Sequence, residues 1–181
     1  MLNCVDAAAP QKSVPALVAL YKMMDKAGDH YWINRKKEAV QQLVAQCSGL
    51  YLDACANQAF AVQTTGINVN VIVNNRLGAD AVIKKFFIDD IAEDVNKTLE
   101  KNKNFTFDKK LPVSLNKEIT QPYWLRERME EGLFDVPDQQ LIGVPDVQAA
   151  YTVKLLITVA GQDFVFERPV RYRYTDPVKG E

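Results

Sequence analysis

The sequence predicts a mainly β fold behind an N-terminal pair of helices. Three observations carry this. Between Ser13 and Gly49 apolar residues recur at three- and four-residue spacing, the period of one helix face. From Leu50 the period changes to two, that of a half-buried strand. Glycine, asparagine and proline then cut the chain into short runs, the pattern of an antiparallel β-sandwich. The division falls near Gly49. Residues 1–49 read as an N-terminal arm and helical hairpin, and residues 50–181 as the β part.

Residues 1–12 are small or polar, with Pro10, and read as a loose lead-in. Ser13 followed by Pro15 marks a helix start: a capping hydroxyl, then a proline in the first turn, where its missing N–H is harmless. Leu17, Leu20, Tyr21 and Met24 make the first apolar stripe, and Gly28 ends the helix. Asp29 is placed to cap the second helix. Its expected inner face is Trp32, Ala39, Val40, Leu43, Val44 and Cys47, with the Lys36 stem at the margin. Gly49 fits the position just past the helix end. An apolar stripe must be buried against another element, so the hairpin has to pack on something.

Leu50, Leu52 and Ala54 open the β part and lead towards residues 59–63. Ile67, Val69, Val71 and Val73 alternate with Asn68, Asn70 and Asn74, a half-buried strand ended by Asn74-Asn75 and Gly78. Residues 81–88 form another strand, with Val82, Phe86 and Ile88 set against Ile83 and Phe87, so both faces are partly apolar. Residues 91–104 fit two patterns. Ile91, Val95 and Leu99 suit a helical stripe, while Val95, Lys97 and Leu99 suit a strand; the surrounding β pattern favours a strand and a turn. Phe105, Phe107 and Leu111 mark the next strand. Residues 119–146 hold Pro122, Gly132, Pro137, Gly143 and Pro145 and read as a long connection across the sandwich. Its apolar anchors are Tyr123-Trp124-Leu125 and Leu141-Ile142.

Residues 151–174 close the β part as a long hairpin. Tyr151, Val153, Leu155, Ile157 and Val159 share one face of its first strand, and Phe164, Phe166, Val170, Tyr172 and Tyr174 one face of its second. A tight turn centred on Gly161-Gln162 sets Val159 opposite Phe164, Ile157 opposite Phe166, Val153 opposite Val170 and Tyr151 opposite Tyr172. Only Leu155 against Arg168 misfits. Pro169 beside it cannot donate to a ladder, which points to an edge or a bulge. Residues 175–181 are turn-rich and read as a linker to a further domain.

A chain of 181 residues, 48% hydrophobic and 25% charged, can bury a sizeable core. Its formal net charge of -1 argues against a nucleic-acid partner, which needs a basic face. No apolar run is long enough to cross a bilayer as a helix, so no membrane insertion is expected. Residues 1–10 lack the basic-then-apolar pattern of an export signal.

Chemistry is sparse. The three cysteines, Cys4, Cys47 and Cys55, are odd in number and irregularly spaced, unlike a disulfide framework. Cys47 lies on the expected apolar face of a helix, where a buried thiol behaves as a small hydrophobe. The single histidine, His30, leaves few ligands for a metal site. A Cys–His nucleophile would have to join His30 to a cysteine, most plausibly Cys4. Asp89-Asp90 is a carboxylate pair, but neighbours on a strand point to opposite faces, which suits a solvated strand end. Glu127, Glu130 and Glu131 among Arg126, Arg128 and Met129 read as an exposed charged loop. Neither a glycine-rich phosphate loop nor a serine elbow is present. No catalytic, cofactor-binding or metal-binding residue is assigned. Tyr123 and Trp124, with Arg126 nearby, form the one patch that could stack on a sugar ring or anchor a partner. The plainer reading is that Trp124 plugs the open end of the sandwich, since large aromatics are buried on average.

Several stretches are familiar together: Leu20-Tyr21-Lys22, Tyr31-Trp32, Cys47-Ser48-Gly49-Leu50-Tyr51-Leu52-Asp53-Ala54, Gln121-Pro122-Tyr123-Trp124-Leu125, Leu141-Ile142-Gly143-Val144-Pro145, and Arg168-Pro169-Val170 through Tyr174-Thr175-Asp176-Pro177-Val178-Lys179-Gly180-Glu181. From about Val14 onward the chain resembles the region after the catalytic domain in large PIG-L-type (LmbE-like) deacetylase proteins of Bacteroidetes. The resemblance implies an immunoglobulin-like sandwich beside a Rossmann-type, zinc-dependent catalytic domain with a His-Pro-Asp-Asp signature. That signature is absent from this sequence, so no catalytic residue carries over. What the resemblance implies is a non-catalytic segment of a periplasmic or secreted protein of carbohydrate metabolism. Its expected partners are the neighbouring domains of the parent chain and, through Tyr123, Trp124 and Arg126, a glycan.

Overall fold

The computed structural model describes residues 6–145, 147–174, 176 and 178. Helix formation begins earlier than the Ser13-Val14-Pro15 signal suggests. A 3-10 turn over Pro10–Ser13 runs straight into α1 (Val14–Lys26). Ser13 is already helical, at φ -81° and ψ -14°, and its hydroxyl caps nothing. The preceding turn is the reason: the Val14 N–H is taken by the Gln11 carbonyl, so the first turn needs less from a side chain. Gly28 ends α1 at φ 93°. The cap of α2 (Tyr31–Ser48) is His30 rather than Asp29; its Nδ1 accepts from the Trp32 N–H at 3.4 Å. Asp29 instead holds the Asn34 side-chain amide at 2.6 Å. Gly49 closes α2 in the left-handed conformation, as expected, with its N–H on the Ala45 and Gln46 carbonyls.

The buried face of α2 overlaps the expected one at Val40, Val44 and Cys47 but is rotated away from Trp32, Ala39 and Leu43. Val40, Val44, Ala45 and Ser48 face inward. Trp32 and Leu43 are 66% and 45% exposed, and Lys36 and Ala39 between them are exposed too. Packing against α1 and the sheet decides this. Lys37 lies over the Tyr21 ring at 5.2 Å and pairs with Asp25, and the Gln41 amide donates to the Val165 carbonyl at 2.6 Å. These contacts set the rotation that brings Val44 to the core. On α1, Val14 and Val18 are buried, with Leu17, Leu20, Tyr21 and Met24 packed at the core's margin.

Among the described residues eight strands form two four-stranded sheets, mostly antiparallel. One has the order β5 (Asn104–Pro112), β2 (Gly66–Asn75), β1 (Leu50–Ala56), β8 (Arg171–Tyr172). The other runs β4 (Ile91–Thr98), β3 (Ala81–Ile88), β6 (Thr152–Val159), β7 (Gln162–Pro169). The ambiguous residues 91–104 thus give a strand and a turn. The mixed faces of β3 have a local cause. Lys84 is an extra residue in the ladder, so the buried set is Ala81 and Ile83 before it, Phe86 and Ile88 after it. Asp89-Asp90 lie exposed at the end of β3, as expected, and form the two-residue turn to β4, with Asp89 at φ 50°.

The closing hairpin keeps its predicted faces but not its predicted register. Its turn is Ala160-Gly161, at φ 47° and 73°, one residue earlier than Gly161-Gln162. Two positive φ values make a primed turn, whose twist matches the strands. Pairings therefore shift by two: Leu155 faces Phe166, Ile157 faces Phe164, Val153 faces Arg168. A shift of two preserves every face, and it removes the clash of Leu155 with Arg168. The second strand also ends sooner than residue 174. After Pro169 the chain leaves this sheet, and Arg171-Tyr172 pair in parallel with Cys55-Ala56 of β1 in the other. The Arg168 guanidinium spans the same gap, donating to the Leu52 carbonyl at 3.1 Å.

One apolar core joins both sheets and both helices. Phe86 of β3 meets Phe107 of β5 edge-on at 4.9 Å, and Tyr21 of α1 meets Phe164 of β7 at the same distance. The two ends of this β unit differ. At one, the buried Asn75 ties the turns together: its amide donates to the Ala79 and Leu99 carbonyls, and its oxygen accepts from the Gly78 and Ala79 N–H groups. The other end is where β1, β5 and β7 finish and β2 and β6 begin, by their registers. There the long connection from Val113 to Tyr151 lies across both sheets.

Candidate functional site

Connections this long inside a compact domain are uncommon, and those that occur are functional loops or linker segments. This one crosses from β5 to β6, as expected, but its anchors hold it only at the surface. Short 3-10 turns occupy Tyr123–Leu125 and Gln139–Leu141. The Tyr123 hydroxyl accepts from the Gly143 N–H at 3.2 Å, which ties one turn to the other. Leu125 and Ile142 are exposed. The charged run Glu127 to Glu131 is exposed as expected.

Two clefts flank the connection and share the wall made by residues 117–120 and 147–150. The first, of about 390 Å³, is lined by Tyr123 and Arg126 with Leu141 and Val144. Trp124 does not line it. Its ring stands edge-on to Tyr123 at 4.9 Å and is half-buried, so it packs on the connection and is not a plug inside the core. Arg126 reaches Glu118 at 3.9 Å. Of the three residues singled out from the sequence, two therefore line one cleft and the third supports Tyr123 from behind.

The second cleft, of about 450 Å³, lies between the connection and the loop joining β1 to β2. Phe60, Tyr172, Gln58, Gln148 and Tyr151 contribute to it. Lys117 stands at the shared wall. Its Nζ grips both Asp89 oxygens at 3.0 and 3.1 Å and lies over the Tyr151 ring at 4.3 Å. The Gln63 amide donates to the Lys117 carbonyl at 2.8 Å and holds the two walls together. Sequence reasoning passed over Phe60 because residues 59–63 look like the continuation of a strand. Phe60 and Val62 stand at strand spacing, so nothing in the local pattern distinguished this exposed loop from a strand.

A third polar cluster lies on the outer face of β1. The Asp53 carboxylate meets the Tyr51 hydroxyl at 3.1 Å, the Cys55 thiol at 3.6 Å and the Arg173 guanidinium. Burial against the sheet pushes its pKa up, but the Tyr51 hydroxyl and Arg173 outweigh that and hold it below the ordinary 3.8. Arg173 is correspondingly raised, by the Tyr51 hydroxyl and by Asp53. His30 serves as a helix cap, and Cys4, the thiol that could have joined it, lies outside the described residues. Cys47 is a half-buried free thiol at the core's margin. Of the expected linker, residues 175, 177 and 179–181 also lie outside the described residues. Among the described residues no three or more His, Cys, Asp or Glu side chains gather as metal ligands, and no helix is long and apolar enough to cross a membrane. Comparison with family models, with curated proteins and with solved structures finds no match to this chain.

Proposed function

We propose that the chain is a non-catalytic accessory module of an exported multidomain protein resembling PIG-L-type N-acetylglucosamine deacetylases, and that it packs against or spaces the catalytic domain. One observation carries this reading. The helical hairpin buries one face on the β unit and leaves a second stripe in water, Trp32, Ala39 and Leu43 with Lys36 set between Trp32 and Ala39. These residues recur at helical spacing, so they present one continuous surface. Exposed apolar patches of this kind mark contact with another protein surface. The periplasmic or secreted setting and the identity of the neighbouring domain rest on the sequence resemblance. The immunoglobulin-like assignment belongs to the same reading. What supports it is the strand order: β1, β2 and β5 share one sheet, β3, β6 and β7 the other, with Greek-key crossings between them.

The test is a titration of this chain against the deacetylase domain of a protein that carries both. Association in the micromolar range is expected. Trp32→Glu with Leu43→Glu should abolish it while leaving the melting temperature unchanged, because both side chains are exposed. No association, or association indifferent to those charges, would refute the packing role. Deacetylation by this chain alone, with zinc added, should read background.

A second reading is contact with a glycan through Tyr123, Trp124 and Arg126. It is favoured by the cleft that Tyr123 and Arg126 line. Binding of amino-sugar oligomers that Arg126→Ala weakens would support it.

A further inference from the structure

The larger cleft has a composition that the packing role does not use. At about 450 Å³ it falls within the ~300–1,000 Å³ range of small-molecule sites. Phe60 is 84% exposed at its rim. Its loop is not slack. The Asn57 N–H is bound to the Asn68 carbonyl at 3.1 Å, and the Thr64 N–H to the Val113 carbonyl at 2.9 Å. An apolar ring is thus held in water by a pinned loop. Tyr172, 46% exposed, adds a second ring from β8, opposite Ala56 of β1.

The polar part of the lining is almost uncharged. Lys117 is committed to Asp89, and Glu118 faces Arg126. The Gln63 amide is committed to the Lys117 carbonyl, which leaves the Thr120 hydroxyl and the carboxamides of Gln58 and Gln148, groups that donate and accept at once. Tyr151 also belongs to the lining. It is only 5% exposed, and its hydroxyl oxygen is buried with no hydrogen-bond partner among the described residues. A buried hydroxyl without a partner costs free energy that a bound hydroxyl would recover.

We propose that this cleft binds a neutral saccharide unit of a glycan, its apolar face against Phe60 and Tyr172 and its hydroxyls on Gln58, Gln148 and Tyr151. A sugar ring has an apolar C–H face for an aromatic ring and a rim of vicinal hydroxyls for carboxamides. An acidic ligand would find one cation in the lining, Lys117, and both Asp89 oxygens already hold it. The proposal deepens the glycan reading given above and moves its centre across the shared wall.

The experiment is calorimetric titration of the full chain with linear tetrasaccharides of N-acetylglucosamine, of glucose and of mannose, with tetragalacturonate as the acidic comparison. At least one neutral tetrasaccharide should bind with a millimolar Kd or tighter. Phe60→Ala and Tyr172→Ala should each weaken it about tenfold or more, and Tyr151→Phe by a smaller factor. Phe60→Ala should melt with the parent, since Phe60 lies outside the core. Loss of binding in Tyr123→Ala with Phe60→Ala and Tyr172→Ala intact would sink this placement and leave the glycan reading standing. Preference for tetragalacturonate would sink this placement alone, and failure of all four tetrasaccharides would sink both.

Discussion

A single buried asparagine does more for this fold than any of the residues that looked chemical. Asn75 is fully buried and makes four side-chain hydrogen bonds to backbone groups of the turns around it. Asn75→Ala would orphan two carbonyls and two N–H groups. Each orphan costs about 1–3 kcal/mol when water cannot reach it, so a loss of about 3 kcal/mol or more is expected in urea unfolding. A loss under about 1 kcal/mol would mean that water replaces the amide. Asp53 gives a second residue-scale prediction. Its pKa is lower in the folded chain than the ordinary 3.8, so its contribution is present above that value and fades as pH falls through the folded value. Asp53→Asn should be less stable at neutral pH and should lose part of the acid dependence below about pH 4. An unchanged acid limb in pH-dependent unfolding would remove Arg173 and Tyr51 as its causes.

At the level of elements, turns and bulges set what periodicity could not. The faces of the hairpin β6–β7 were legible because Val153, Leu155, Ile157, Val159, Phe164 and Phe166 recur at a period of two, although Leu156 and Val165 put apolar side chains on the other face. Its register was not, because a two-residue change in pairing leaves every face as it was. The turn Ala160-Gly161 settles it, and at a cost: Ala160 sits at φ 47°, where asparagine is better tolerated. Ala160→Asn should raise stability by about 0.5–1 kcal/mol in thermal or urea melts. A drop would place the turn elsewhere. Lys84 teaches the same lesson on β3. One extra residue in the ladder flips the buried parity, so Ile83 and Phe86 lie on the same side although their spacing is odd.

For the whole molecule, the question is whether the helices are an appendage or part of the core. Val44 of α2 is fully buried in the cluster that also contains Phe164 and Val73. Val44→Ala should therefore lower stability by about 2 kcal/mol, and helix and sheet signals in circular dichroism should melt together. Two separated transitions would make the hairpin an independent unit. The same arrangement explains why the hairpin can both support the β unit and offer a face to a partner. A helix has a full circumference, and the sheet covers only part of it.

The sequence by itself determined the helical start, most strand positions and the sides on which their apolar residues fall, because burial of alternate or every third and fourth residue is a local, periodic demand. It also marked Tyr123 and Arg126, which do line a cleft. Only the tertiary structure decided the rotation of α2, the pairing of β6 with β7 and the passage of Arg171-Tyr172 into the opposite sheet. It alone brought Phe60, Tyr151 and Tyr172 together across more than a hundred residues. Those outcomes depend on which of several equally apolar surfaces meet, and a one-dimensional pattern holds no information about distances between segments far apart in the chain.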